Sequence, residues 1–166
     1  MKLIDIAQVL QASIQGNNVD IQHIMSDSRL VKPGDIFIAI SGEHVDGHDY
    51  ILAATQAGAV AVVAEKAYQN NKALDGLNVI YVEDTLMAYS KLAAWYRKFF
   101  HPMVIAVTGS CGKTTTKVII EHILQQHGHT LASQKSYNNH LGVPLTLCQL
   151  NDSYDYYVQE LGANHP

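Results

Sequence analysis

Residues 106–115 read A-V-T-G-S-C-G-K-T-T and lie between an apolar and an amphipathic stretch, the order of a strand, a glycine-rich loop and a helix. Backbone N–H groups of such a loop converge on phosphate oxygens, and the helix N-terminus adds a partial positive charge. Lys113 would meet the outer phosphates and Thr114 would hold Mg²⁺. The common pattern G-x-x-x-x-G-K-[ST] has glycine where this chain has Val107, so the motif is the shorter T-G-x-x-G-K-T-T. ATP is therefore the first hypothesis for a ligand.

Length, composition and charge bound the class of protein. The chain has 166 residues, of which 48% are hydrophobic, enough for one domain or two small ones with a real core. The net charge of -4 and the lack of a dense Lys/Arg cluster argue against nucleic-acid binding. No apolar run approaches the roughly 20 residues of a membrane span, and the N-terminus lacks a signal-peptide layout. We therefore predict a cytoplasmic protein without membrane insertion, whose Cys111 and Cys148 are both reduced.

Residues 1–83 are predicted to form a small α/β unit. Helical periodicity indicates helices, while alternating or short apolar runs indicate strands. Pro33 and Gly34 suit the central positions of a type II turn. The predicted elements are a helix at 3–12, strands at 19–25 and 36–40, a helix at about 49–58, and strands at 59–64 and 78–83.

Residues 84–102 are predicted to form a connector helix. Asp84 or Thr85 can cap its start, and His101-Pro102 ends it because a residue before proline avoids the helical region. The side chains predicted to share its packed side are Leu86, Tyr89, Leu92, Tyr96 and Phe99.

Residues 103–166 alternate strands and helices, which predicts a parallel sheet. The predicted elements are strands at 103–107, 130–133 and 156–160, a helix at 113–127, and a helix that opens near Pro144. The predicted sheet-facing stripe of the first helix is Ile119, Ile120, Ile123 and Leu124. Ligands of such sheets bind beyond the carboxyl ends of the strands, so the glycine-rich loop and Glu160 should share one edge.

Two polar features could join the glycine-rich loop at that edge. Glu160 ends an apolar strand and is placed to ligate Mg²⁺ directly or through water, which we favour over the alternative of an ordinary solvated strand-end carboxylate. Asn138 and Asn139 precede the helix near Pro144 and could bond phosphate or metal-bound water. By composition alone, their segment is just as well a capping and turn segment.

Two polar loops of the first unit could line a cleft. Asp27-Ser28-Arg29 follows one strand, and G-E-H-V-D-G-H, residues 42–48, follows another. Arg29 could pair with a diphosphate, and Ser28 could bond a sugar or base edge. The alternative is a surface arginine beside a flexible turn. His48 lies just before a helix N-terminus, whose dipole should disfavour the imidazolium form.

Taken together, T-G-S-C-G-K-T-T-T-K, Y-N-N-H-L-G-V-P-L-T-L and the terminal E-L-G-A-N-H-P resemble motifs of the Mur ligases of bacterial cell-wall synthesis. The first unit agrees independently, because D-S-R-x-x-x-P-G-D-x-F-x-A and G-E-x-x-D-G-H resemble the uridine-nucleotide-binding domain of that family. The implied fold is a small N-terminal α/β uridine-nucleotide-binding domain followed by the first part of a parallel-sheet, phosphate-loop ATPase domain.

The resemblance implies an ATP- and Mg²⁺-dependent amide ligase. UDP-MurNAc-tripeptide and D-Ala-D-Ala would be its substrates, the tripeptide carboxylate would be phosphorylated to an acyl phosphate, and the amine would then attack. Lys113 and Glu160 would be catalytic, with Thr114 and Glu160 on the metal. The implied ATP-binding residues are Thr108, Gly109, Ser110, Cys111, Gly112, Lys113, Thr114, Thr115, Asn138 and Asn139. The implied substrate-binding residues are Ser28, Arg29, Glu43, His44, Asp46, Gly47 and His48.

The resemblance spans the chain but covers only the N-terminal part of the family's length. We expect an incomplete ligase that is inactive alone, and a monomer in the full enzyme. The alternative function is a non-catalytic module that binds a UDP-sugar peptide or a nucleotide. A GTPase is discouraged because no N-K-x-D motif appears.

Overall fold

The computed structural model describes residues 1–42, 45–134, 138–139 and 141–162. Cα proximity divides the chain into two compact units, Met1–Leu92 and Ala93–Pro166. The division falls inside the helix that the sequence assigned to the connector, so that helix contributes residues to both units. The predicted boundaries at residues 83 and 102 stay predictions.

The first unit is an α/β layer structure. Its elements are α1 (Leu3–Leu10), β1 (Ile14–Gln15), β2 (Ile24–Met25), β3 (Ile36–Ile38), α2 (Ile51–Gln56), β4 (Ala61–Glu65), β5 (Val79–Val82) and the start of α3 (Thr85–Tyr96). The strand order is β1-β5-β4-β3-β2, parallel throughout except for the antiparallel pair β1 and β5. The β3 and β4 side chains are buried on both faces, which explains their uninterrupted apolar runs.

Two details of the first unit differ from the sequence prediction. The predicted strand over 19–25 pairs only at Ile24–Met25, because Asp20 forms an isolated antiparallel bridge with Lys2 instead. The edge strand Ile14–Gln15 was not predicted, because two residues are too few to show the alternation of apolar and polar side chains that marks a strand. The predicted turn is confirmed: Gly34 has φ +94°, and the Asp35 N–H donates to Lys32 O at 3.1 Å.

Helix α3 begins where predicted, with Asp84 Oδ1 accepting the Met87 N–H at 2.8 Å. Tyr89, Leu92 and Tyr96 are buried, but Phe99 is 52% exposed, so its predicted packing is wrong. The chain tightens into a 3₁₀ turn at Arg97–Phe99, and this changes the direction of every side chain after Tyr96.

The second unit contains β6 (Met103–Val107), α4 (Lys113–Leu124), β7 (Thr130–Ala132), α5 (Gly142–Leu147) and β8 (Tyr156–Glu160). Its strand order is β6-β8-β7 and every pair is parallel, as predicted from the alternation. Helix α4 ends at Leu124, three residues before the predicted end, and α5 begins two residues before Pro144.

The buried side of α4 includes only half of the predicted stripe. Ile119 and Ile123 are 55% and 54% exposed, whereas Lys117 is 3% exposed. Ile120 and Leu124 are partly buried, at the spacing i+3 and i+7 from Lys117. The helix is apolar on more than one side, so periodicity could not identify the side that packs.

Candidate nucleotide and metal site

The glycine-rich loop joins the carboxyl end of β6 to the start of α4. Gly109 and Gly112 have φ values of +149° and +74°, and Gly112 is the N-cap of α4. These backbone conformations favour glycine. The sequence therefore folds locally into the predicted strand, loop and helix.

The loop surrounds an open, mostly polar cavity of about 330 Å³. Lys113 Nζ donates to the Gly109 carbonyl at 2.8 Å, so the ammonium already lies over the loop. The residues that line the cavity are Ser110, Cys111, Gly112, Lys113, Thr114, Thr115, Asn138 and Glu160. A triphosphate tail is the class of ligand that suits backbone N–H groups, an ammonium and a helix N-terminus at one place.

Glu160 reaches this cavity because β6 and β8 are parallel neighbours. Val107 and Glu160 are register partners, which confirms that the loop and Glu160 share one sheet edge. Thr114 Oγ1 donates to Glu160 Oε2 at 2.9 Å, and Asn138 Nδ2 donates to Oε1 at 2.8 Å. Glu160 is 1% exposed, so its carboxylate is held by these partners rather than solvated. The alternative of an ordinary solvated carboxylate is therefore wrong.

The donors present fit a hard cation. Thr114 Oγ1 and Glu160 Oε2 are oxygens at hydrogen-bond distance, and Mg²⁺ accepts one or two protein oxygens when phosphates and water complete its shell. Within the described residues, no group of three or more His, Cys, Asp or Glu side chains could hold a metal.

Not every predicted nucleotide-site residue lines the cavity. Thr108 is exposed and Gly109 contributes its carbonyl to Lys113, but neither is a lining residue. Asn139 Oδ1 accepts the N–H groups of Leu141 and Gly142 at 3.2 and 2.8 Å. The structure therefore gives Asn139 the capping role that the sequence left open, and its contact with ATP stays a prediction.

The Asp27-Ser28-Arg29 segment forms a 3₁₀ turn at Ser28–Leu30 that follows β2. Asp27 accepts from Arg29 through both carboxylate oxygens, with Nε–Oδ1 at 2.9 Å and Nη2–Oδ2 at 2.7 Å. The side-chain hydrogen bond from Arg29 lowers the pKa of Asp27. The Arg29 side chain is 86% exposed, so a ligand can reach its guanidinium.

The loop at 41–48 is closed by an internal network around Asp46. Asp46 Oδ1 accepts from His48 Nδ1 at 2.7 Å and from the His48 N–H at 2.9 Å, while Tyr68 Oη donates to Oδ2. Burial raises the pKa of Asp46, but the hydrogen bonds from Tyr68 and His48 outweigh it and lower the pKa to about 2. The hydrogen bond to Asp46 raises the pKa of Tyr68 to about 12.

His48 connects Asp46 to the backbone of β4. Its Nε2 accepts the Glu65 N–H at 3.0 Å, so the ring proton is on Nδ1, which donates to Asp46. The ring is fully buried and stacks on Tyr68 with centroids 3.8 Å apart. The expected effect of the helix dipole on His48 stays a prediction.

Gly47 lets the loop turn back on the end of β3. A Cβ at this position would lie 2.5 Å from the Ile40 nitrogen, and the Gly47 N–H donates to Ile40 O at 2.9 Å. Asp46, Gly47 and His48 therefore shape the loop, and their contact with a substrate stays a prediction. Glu43 and His44 lie outside the described residues.

Sequence reasoning missed Tyr68, Ser133 and Lys117. No motif marks Tyr68, which lies 22 positions from its partner Asp46. Lys117 follows Lys113 by four residues in T-T-T-K, and its inward direction is visible only in the structure. A further cavity, of about 390 Å³, lies in the first unit beside Lys66, Tyr81 and Lys91, and no predicted site residue within the described ranges lines it.

The fold and the site define a parallel α/β protein of the phosphate-loop class. A family profile described as "Mur ligase middle domain" matches residues 107–166, and one described as "Mur ligase family, catalytic domain" matches residues 20–97. The chain belongs to the Mur ligase family. None of the helices in the described ranges is long and apolar enough to cross a membrane.

Individual relatives agree with the family. The chain is 38% identical over 163 residues to UDP-N-acetylmuramoyl-tripeptide–D-alanyl-D-alanine ligase of Escherichia coli strain K12, covering 98% of this chain and 35% of the relative. A crystal structure of MurF from Acinetobacter baumannii has a TM-score of 0.77 at 33% identity, covering 98% of this chain and 36% of that one.

The MurF ligase from Thermotoga maritima, solved in complex with ADP, has a TM-score of 0.71 at 32% identity, covering 87% of this chain and 33% of that one. The α/β fold predicted from the sequence is confirmed. The chain spans about a third of the length of these proteins.

Proposed function

We propose that this chain supplies the nucleotide site and the uridine-nucleotide-binding part of an ATP-dependent ligase that joins D-Ala-D-Ala to UDP-MurNAc-tripeptide. The observation that carries the proposal is the cluster of Lys113, Thr114 and Glu160 around one cavity. The ADP complex of the Thermotoga maritima relative supports a nucleotide as the ligand of that cavity.

The loop binds the phosphate chain. Residues 110–115 of the loop and of the first turn of α4 line the cavity, where their N–H groups would bind phosphate, and Lys113 Nζ would exchange its 2.8 Å bond with Gly109 O for a phosphate oxygen. A preformed loop needs little reorganisation, which favours charge stabilisation when the terminal phosphoryl group moves to the acceptor carboxylate.

Thr114 and Glu160 would hold Mg²⁺, which would neutralise phosphate charge when bound. Asn138 orients Glu160 through its 2.8 Å bond to Oε1, leaving Oε2 directed at Thr114. The protein thus contributes a fixed pair of oxygens.

The first unit would hold the uridine-diphosphate end of the precursor, with Arg29 on the diphosphate and Ser28 on the sugar or base. Arg29 is exposed, and its guanidinium donates at 2.7 and 2.9 Å to Asp27, so it is oriented before a ligand arrives. Binding one end of the precursor restricts the position of the distant carboxylate, which lowers the entropic part of the barrier. The peptide bond would form when the D-Ala-D-Ala amine attacks the acyl phosphate and inorganic phosphate leaves.

The relatives are about three times as long as this chain, so the complete reaction is proposed for the protein that carries it. We place that reaction in the cytoplasm, where ATP is available, as part of cell-wall synthesis, and propose a monomer. A non-catalytic module that binds a UDP-sugar peptide or a nucleotide is the second candidate, since the cavity and the exposed Arg29 could bind these ligands without turnover.

Calorimetry with Mg-ATP and, separately, with UDP-MurNAc-tripeptide tests the proposal. We expect each ligand to bind with one site per chain. Phosphate release that requires D-Ala-D-Ala distinguishes a ligase from a module that only binds. Failure of Mg-ATP to bind the folded protein would overturn the assignment of the cavity.

A further inference from the structure

Lys117 is a buried lysine in the layer between α4 and the sheet. It lies one helical turn after Lys113, but Lys113 borders the cavity whereas Lys117 is only 3% exposed. Burying an ammonium group carries a desolvation penalty of several kcal/mol unless hydrogen bonds and opposite charge compensate it. An apolar residue would fill this position without that penalty, so the charge invites a functional explanation.

The ammonium binds a residue that also binds Glu160. Lys117 Nζ donates to the backbone oxygen of Ser133, the residue that follows β7. Ser133 is 1% exposed and attached to β8 twice: its N–H donates to Val158 O at 3.0 Å, and its Oγ accepts the Glu160 N–H at 3.2 Å. Lys117 is therefore linked through Ser133 to the backbone of Glu160, whose side chain lines the cavity.

The charges on the two sides of Ser133 are opposite. Glu160 is 1% exposed and Lys117 is 3% exposed, so neither is well screened by water. A buried cation that is linked to Glu160 through Ser133 attracts the carboxylate, whose two oxygens accept from Thr114 and Asn138. The hydrogen bond to Ser133 thus holds the backbone of Glu160, and the charge of Lys117 acts on its carboxylate.

We propose that Lys117 and Ser133 form an anchor that positions Glu160 for the divalent cation. Lys117 is a positioning residue, since it acts through Ser133, and the inference rests on the proposed Mg-nucleotide site. Lys113 and the loop N–H groups bind phosphate without this anchor. Loss of the anchor should therefore weaken the contribution of Mg²⁺ to nucleotide affinity and leave nucleotide binding without metal unchanged.

The test compares ATP affinity in EDTA with ATP affinity in excess Mg²⁺ for wild type, Lys117→Met and Lys91→Met. Methionine resembles lysine in length and flexibility but carries no charge. Lys91 is exposed on α3, so Lys91→Met is a matched control. The Mg²⁺-dependent gain is the ratio of ATP affinity in excess Mg²⁺ to ATP affinity in EDTA. We expect this gain to fall about tenfold or more in Lys117→Met, as is typical when a residue that supports a metal ligand is replaced. ATP affinity in EDTA should be unchanged.

A merely structural role would lower both affinities together or neither, and either result would overturn the anchor. If the wild type itself does not bind Mg-ATP, the proposed function fails, and the anchor fails with it. The anchor alone is overturned if the wild type binds Mg-ATP normally and Lys117→Met keeps the full Mg²⁺-dependent gain in ATP affinity.

If Lys117→Met does not fold, the same affinity measurements on Ser133→Ala test the anchor. It removes the acceptor of the Glu160 N–H but keeps the backbone oxygen that Lys117 binds. We expect a smaller, roughly threefold loss of the Mg²⁺-dependent gain, in line with one uncharged hydrogen bond. No change in that gain in a folded Ser133→Ala protein rejects the anchor.

Discussion

Two loops follow parallel strands in this chain, and they differ in where their polar groups are directed. In the loop after β3, Asp46 and His48 bind one another, Tyr68 and the Glu65 backbone. In the loop after β6, Lys113 and Thr114 border an open cavity. Within the described residues, the first loop thus bonds its polar groups to the protein, whereas the second presents them to a cavity, as a ligand site does.

Lys113→Ala should have the largest effect, and on ligand binding alone. Removing a charged donor to phosphate should weaken Mg-ATP binding about 100-fold, or about 2.7 kcal/mol. The unfolding free energy should hardly change, because Lys113 is not buried. Calorimetry and urea unfolding measure the two quantities, with Lys91→Ala as control. Unchanged Mg-ATP affinity would contradict the proposal that Lys113 in the loop after β6 binds the nucleotide.

Gly47→Ala should have the largest effect on the closed loop. The new Cβ would lie 2.5 Å from the Ile40 nitrogen and 2.7 Å from its oxygen, both backbone atoms that cannot turn away. We expect a loss of about 2 kcal/mol in unfolding free energy, as for other overpacked positions.

Gly76→Ala is its control, because nothing lies within 4 Å of a Cβ there and only the φ of +77° is strained. Its loss should be about 1 kcal/mol. Equal losses in the two variants would mean that the close approach at Gly47 is not what shapes the loop.

Asp46→Asn should destabilise the protein by about 1 kcal/mol at pH 7, a value reduced because the Asp46 side chain is 31% exposed. The pKa of Asp46 lies at about 2, below its ordinary 3.8, so the folded state favours the carboxylate. This contribution is present in full above the ordinary pKa and is lost as the pH falls through about 2.

Urea unfolding at pH 7 and near pH 2.5 measures the contribution of the Asp46 carboxylate to the free energy of unfolding. The difference between wild type and Asp46→Asn should shrink as the pH is lowered. A difference that grows on acidification would contradict the network. Mg-ATP affinity, measured in parallel, should be the same in both proteins.

Arg29→Ala should have the smallest effect on stability and leave the free energy of unfolding nearly unchanged, because an exposed pair such as Arg29 and Asp27 contributes little. UDP affinity is the sharper measurement: the proposed diphosphate contact predicts a clear loss there. If UDP binding is unchanged, Arg29 is only the partner of Asp27.

The sequence predicts the edge where the site lies, for a physical reason. Parallel strands end at a common edge, so the strand–loop–helix pattern at 106–115 and the acid at Glu160 had to meet once the alternation implied parallel pairing. Periodicity also located β6 and β8 to the residue.

The unpredicted parts depend on tertiary packing. Local pattern favours the Ile119 and Ile123 side of α4, but the helix packs with Lys117 inward, because burial is decided by neighbours distant in sequence. The loop around Asp46 is closed by Tyr68, and no spacing rule connects these two positions. The predicted burial of Phe99 is wrong for a third reason: the α-helix gives way to a 3₁₀ turn after Tyr96, so the α-helical period no longer applies.

Cys111 gives the open loop a built-in chemical reporter. Its thiol is exposed within the phosphate loop, whereas the thiol of Cys148 is buried. A maleimide should therefore label one position rapidly in the folded protein, and a bound triphosphate should shield that position from the reagent. Occupancy of the loop can thus be followed by mass spectrometry, without a radioactive or fluorescent nucleotide.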